Sequence, residues 1–85
     1  MKFLARCIDP ASPAWVYSIY KGDVQLEADS AMDARNLLAA IYANPVKVAE
    51  ANAAGSIPWQ NPKVVDMKEI REFDPSIRIE VVTAP

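Results

Sequence analysis

Few side chains in this sequence have chemistry to offer. Cys7 is the lone cysteine, no histidine occurs in the 85 residues, and Gly22 and Gly55 are the only glycines. A thiol becomes a nucleophile when a base or a cation lowers its pKa, and the cations nearest Cys7 in sequence are Lys2 and Arg6. Alternation along a strand puts Arg6 on the face opposite Cys7, so Cys7 reads as a buried structural residue. Without histidine the usual general base and most transition-metal ligand sets are missing, and two glycines do not make a phosphate cradle. The expectation is a non-enzymatic chain with no catalytic residue, no cofactor-binding residue and no metal ligand.

Three carboxylates, Glu27, Asp29 and Asp33, gather where a strand would hand over to a helix. A hard cation needs more oxygen ligands than these and usually a glycine turn. Acids at a helix start have a simpler purpose, because negative charge there complements the helix dipole. They also form an acidic patch that a basic partner could meet. Among the aromatics, Trp15, Tyr17 and Tyr20, with Phe3 on a neighbouring strand, could form a stacking platform for single-stranded nucleic acid. Such platforms are normally rimmed by basic residues, and only Lys2, Arg6 and Lys21 qualify, so the preferred reading puts Trp15 and Tyr17 in a thin core with Tyr20 half exposed. Trp59 lies between Pro58 and Pro62. Its two readings are an exposed anchor for a protein partner and a cap on the core.

Net charge is −2, apolar residues make up 52% and charged residues 24%. That is the composition of a globular domain rather than a disordered chain. Lys2, Arg6 and Lys21 against Asp9 give the first 22 residues a net +2, well short of the basic excess that phosphate neutralisation demands. One cysteine makes no internal disulfide, and the opening apolar run is interrupted by Arg6 and Asp9. The chain reads as one cytoplasmic domain over residues 1–85 with no membrane span. Alanine supplies much of the apolar fraction, so a partner or a second copy is expected to assist the thin core.

The pattern predicts the elements that must hold these residues. Alternation predicts strands over 2–8, 14–20 and 24–28, forming an antiparallel meander with breaks at Asp9–Pro13 and Lys21–Asp23. Ser30 caps a helix over 31–43 that packs Ala34, Leu37, Leu38 and Ile41 on the sheet, and Asn44-Pro45 stops it. Residues 45–55 read as a second helix or as a short strand at Val46–Val48, with helix preferred for its alanines. Residues 63–73 read as a helix capped by Asn61 or as a strand. The strand reading is preferred because it makes a terminal hairpin with 77–82 around Phe73–Ser76. The order is β-β-β-α-α-β-β, an α+β fold with helix 31–43 on one face of a small antiparallel sheet.

The stretch Leu26-Glu27-Ala28-Asp29-Ser30-Ala31-Met32-Asp33-Ala34-Arg35, continuing to Leu37-Leu38 and Tyr42, resembles a strand-to-helix element of small accessory proteins encoded by phages, plasmids and integrated conjugative elements. The resemblance spans about residues 24–43 and implies no site residue. It implies a small accessory protein acting on a host protein complex. The expected function is a protein-binding module or inhibitor, of the kind a mobile element uses against host defence. Its candidate contact residues are Trp59, Tyr20, Glu27, Asp29 and Asp33. The alternative is a single-stranded nucleic-acid-binding domain built on the Trp15/Tyr17 strand.

Overall fold

A computed structural model of the protein describes residues 1–47 and 57–81. Strands β1 (Lys2–Cys7), β2 (Val24–Glu27), β3 (Val65–Ile70) and β4 (Arg78–Ile79) form one sheet in the order β3-β1-β2-β4. β1 pairs antiparallel with both β2 and β3, whereas β4 lies parallel to β2. Helix α1 (Ala31–Ile41) covers one face, giving a small α+β fold with a mostly antiparallel sheet.

Helix α1 begins where its cap predicts. The Ser30 hydroxyl accepts the Asp33 amide at 3.1 Å, satisfying one of the free donors of the first turn, and Asp33 adds negative charge there. Ala34, Leu38 and Ala39 are buried, while Leu37 and Ile41 are half-buried. They rest on a sheet face made by Phe3, Ala5, Val24, Leu26 and Val65, which the register places on one side. The helix ends at Ile41 rather than 43, with Tyr42 as its C-cap.

The expected strand over 14–20 is instead a short 3-10 helix, Pro13–Tyr17. Ser12 caps it by accepting the Ala14 amide at 3.2 Å, and Pro13 sits in the first turn, where a missing N–H costs nothing. Aromatic and β-branched composition lost to local capping. A strand would put Trp15 and Ile19 on one face, yet Trp15 is 8% exposed and Ile19 is 65% exposed. The place beside β1 belongs to β2 directly, so the meander does not form.

The terminal hairpin does not form either. β3 is a strand as preferred, but it occupies one edge of the sheet while β4 occupies the other. Gln25 supplies the reason. Sequence alternation makes its face wet, yet Gln25 is 1% exposed. Its Nε2 donates to the carbonyls of Asp74 and Ile77 at 2.7 and 3.2 Å, and its Oε1 accepts the Asp74 amide at 2.7 Å. The chain after β3 is thereby drawn over the face opposite α1 and delivered beyond β2. Asp74 shapes the turn itself, its carboxylate accepting the Ser76 hydroxyl and amide at 2.7 and 2.9 Å. The strand expected over 77–82 is reduced to Arg78–Ile79 within the described residues. Residues 45–47 form a turn, and the rest of the second helix expected over 45–55 lies outside the described residues.

Truncating Gln25 to Ala should leave the Asp74 amide and two carbonyls without their partner and a gap in the buried face of β2. Denaturant unfolding should show a loss of about 2–3 kcal/mol, and hydrogen exchange should show the Asp74 amide losing protection first. Leu38→Ala, at a closed core position, should cost about 2–4 kcal/mol by the same unfolding assay.

Candidate functional site

The aromatics of this chain converge on one place. Trp59, in a short 3-10 helix at Pro58–Gln60, is 0% exposed. The Trp15 ring meets it edge-on at 5.3 Å and 86°, and the Tyr42 ring lies 5.3 Å away on another side. Tyr20 packs on Tyr42 at 4.9 Å. Each polar handle is occupied. The Trp59 indole N–H donates to Ser18 Oγ at 3.0 Å, and the Trp15 indole N–H donates to the Asp9 carbonyl at 2.8 Å. The Trp59 carbonyl accepts from Arg35 Nη1 at 3.1 Å. Trp59 is therefore the core cap of its two sequence readings, and no surface is left on it for a partner to anchor.

Arg78 closes the cluster from outside. Its guanidinium lies 4.9 Å from the Tyr20 ring and 5.7 Å from the Tyr42 ring, and its Nε donates to the Tyr42 hydroxyl at 3.0 Å. Burial pushes the Tyr42 phenol above its ordinary value, against the opposing pull of the Arg78 hydrogen bond. Tyr20 is half-buried, with its hydroxyl donating to the Asp23 carbonyl at 2.9 Å. A Cβ on Gly22 would come within 2.8 Å of that hydroxyl, and Gly22 sits at φ 154°, so the turn before β2 requires glycine.

The remaining candidates stay on the surface and apart from this cluster. Glu27 ends β2, Asp29 follows in the loop, and Asp33 lies in the first turn of α1; all are exposed. Among the described residues no group of histidine, cysteine and acidic side chains could hold a metal ion. Cys7 sits at the end of β1, where burial first and the Asp23 charge second push its thiol pKa up, the reverse of an activated nucleophile. The alternative of a stacking platform on Trp15 and Tyr17 loses its sheet, since both belong to a 3-10 helix; Trp15 is buried in the core, and Tyr17 and Tyr20 are half-buried.

One feature escaped sequence reasoning. The segments around residues 16–19 and 42–46 run together as a clamped pair. Ile19 N donates to the Tyr42 carbonyl at 2.8 Å, Asn44 N to the Tyr17 carbonyl at 3.1 Å, and Asn44 Nδ2 to the Val16 carbonyl at 2.9 Å. On this frame Val16, Ile19 and Val46 stand 51%, 65% and 79% exposed. In sequence, Val16 and Ile19 look like strand residues whose burial a sheet would supply, so only the 3-10 geometry reveals them. The described helices include none long and apolar enough to cross a membrane.

Trp59→Ala should cost about 3–5 kcal/mol of stability in denaturant unfolding, the loss of a fully buried aromatic. The raised phenol of Tyr42 also predicts a pH effect. Its folded form holds the proton more tightly than the unfolded chain, so its contribution is complete below the ordinary phenol range and declines as pH rises through the folded value. Tyr42→Phe should flatten that alkaline decline in unfolding curves taken at several pH values. At neutral pH it should lose about 1 kcal/mol with the Arg78 bond.

Comparison with protein-family models, with curated proteins and with solved structures finds no match to this chain.

Proposed function

We propose that this chain is a non-enzymatic protein-binding domain that docks a folded partner on the apolar rim of Val16, Ile19 and Val46. The observation that carries this reading is the exposure of those three aliphatic side chains on a backbone frame already held by hydrogen bonds. Little conformational freedom remains to be lost there on binding, which favours recognition. The large aromatics, by contrast, are committed inside the fold, and no buried side-chain polar atom among the described residues lacks a partner. The polar interior is thus satisfied by the fold itself, and the surface is what remains to be recognised.

Glu27, Asp29 and Asp33 lie toward the start of α1, with the rim beyond its other end. Their charge suits them to steering a partner that carries basic groups, an effect on association rate more than on affinity. The finer reading is an inhibitor that a phage or other mobile element directs against a host protein complex. It rests on the likeness of residues 24–43 to such accessory proteins and on nothing in the rim itself.

The test is capture from nuclease-treated host extract with the wild-type protein and the Ile19→Asp/Val46→Asp double variant side by side. A stoichiometric protein partner is expected on the wild type. Its affinity for the variant should be weaker by about 2–3 kcal/mol, the worth of burying two aliphatic side chains. Circular dichroism should show the variant folded, since both side chains are exposed. Binding that survives the substitutions would overturn the rim. Submicromolar binding of single-stranded oligonucleotides with a steep salt dependence would replace protein by nucleic acid as the partner.

A further inference from the structure

β3 forms an edge of the sheet, and among the described residues no strand pairs with its outer side. Its hydrogen-bonding phase can be read from its neighbour. The Ile8 amide donates to the Val64 carbonyl at 3.0 Å, so Ile8 and Val64 are a bonded pair. Bonded and non-bonded pairs alternate along an antiparallel ladder. Asp66, Lys68 and Ile70 therefore direct their backbone groups to Arg6, Leu4 and Lys2, while Val65, Met67 and Glu69 direct theirs outward. β1 agrees from its other side, where the Met1 carbonyl accepts the Ala28 amide at 2.9 Å and Cys7 N donates to Asp23 Oδ1 at 2.9 Å. The Val65 amide is already taken by the Asn61 carbonyl at 2.9 Å. The amides of Met67 and Glu69 and the carbonyls of Val65, Met67 and Glu69 face the open edge.

An open edge is a template for another strand, and charged side chains commonly block it. Here the charges have opposite signs. Two copies of β3 related by a two-fold axis pair antiparallel with one residue opposite itself. Centring on Asp66, Lys68 or Glu69 sets a like charge against itself. Centring on Met67 instead sets Asp66 of each copy opposite Lys68 of the other. These are non-bonded positions, where opposing Cα atoms approach to about 4.5 Å and side chains interact most closely. In the same register the Met67 amides and carbonyls bond each other, each Glu69 amide reaches the other copy's Val65 carbonyl, and Val64 faces Ile70. Lys63 and Arg71, the like charges that would meet next, lie beyond the ends of the strand. The opposite edge offers nothing comparable among the described residues, where β4 is the two-residue Arg78–Ile79.

We infer that two copies of this chain associate through the outer edge of β3, in antiparallel register centred on Met67, with Asp66 and Lys68 as the pair that selects the register. Asp66 and Lys68 are both exposed and lie on the sheet face opposite α1. The interface uses none of the residues of the Val16/Ile19/Val46 rim.

The experiment is sedimentation of the full chain across micromolar to millimolar concentrations, for wild type, Asp66→Lys, Lys68→Asp and an equimolar mixture of the two variants. Wild type should dimerise. Each variant alone sets like charges opposite each other and should raise the dissociation constant about tenfold or more. The mixture restores opposite charges at each crossing and should recover a heterodimer as tight as the wild type. Circular dichroism melts establish that each variant is folded. A wild type that stays monomeric throughout overturns the inference. So does a dimer indifferent to either substitution, or a mixture that fails to associate while both variants are folded.

Discussion

The Gln25 carboxamide lies in a place where water does not reach it, 1% exposed, opposite a half-buried leucine of β1. An amide there without partners would cost several kcal/mol. Its donors and acceptor are met by the backbone of Asp74 and Ile77, and in meeting them they decide where the chain goes after β3. The short route, a hairpin back along β3, would leave Gln25 on an uncovered face. The route taken crosses that face, sets β4 parallel to β2, brings Arg78 onto Tyr20 and Tyr42, and among the described residues leaves the outer side of β3 without a strand. One buried side chain thus links the sheet order, the closure of the aromatic cluster and the existence of an open edge.

Trp59 does on the α1 side of the sheet what Gln25 does on the other. It ties together segments with little secondary structure of their own: the 3-10 turn through Trp15, the loop at Ser18, the end of α1 through Tyr42, and α1 itself through Arg35. A domain of this size has few aliphatic side chains to bury, and a tryptophan covers several gaps at once. The consequence is that the residues most suggestive of recognition in the sequence are spent on cohesion. Under the proposed function, recognition falls to exposed aliphatic side chains with no obvious motif.

The elements whose cause is local were legible. The Ser30 cap with Asp33, the three-and-four spacing of α1 and the alternation of β1 stand in the structure close to where the sequence puts them. The misreadings arise where a short local signal or a distant partner overrides composition. Residues 14–20 have strand composition, but Ser12 and Pro13 start a tight turn and β2 already occupies the neighbouring place. Gln25 alternates like a surface residue, and its burial depends on a segment some fifty positions on. Trp59 was evenly balanced between core and surface because its flanking prolines suit either. The rim of Val16, Ile19 and Val46 could not be seen at all until the segments carrying it were brought together.

The distances along the chain also give the fold an order in time. The contacts of Gln25 with Asp74 and Ile77 span 49 and 52 residues, whereas the cap on α1 spans 3. Long closures must meet their entropy before any contact rewards them. The strand β1, its partner β2 and helix α1 can gather from a stretch of about forty residues, whereas the pairing of β1 with β3 and the closure over Gln25 both join distant parts of the chain. Until the later segment arrives the Gln25 amide lacks its partners, and Asp74 and Ile77 are the latch that supplies them.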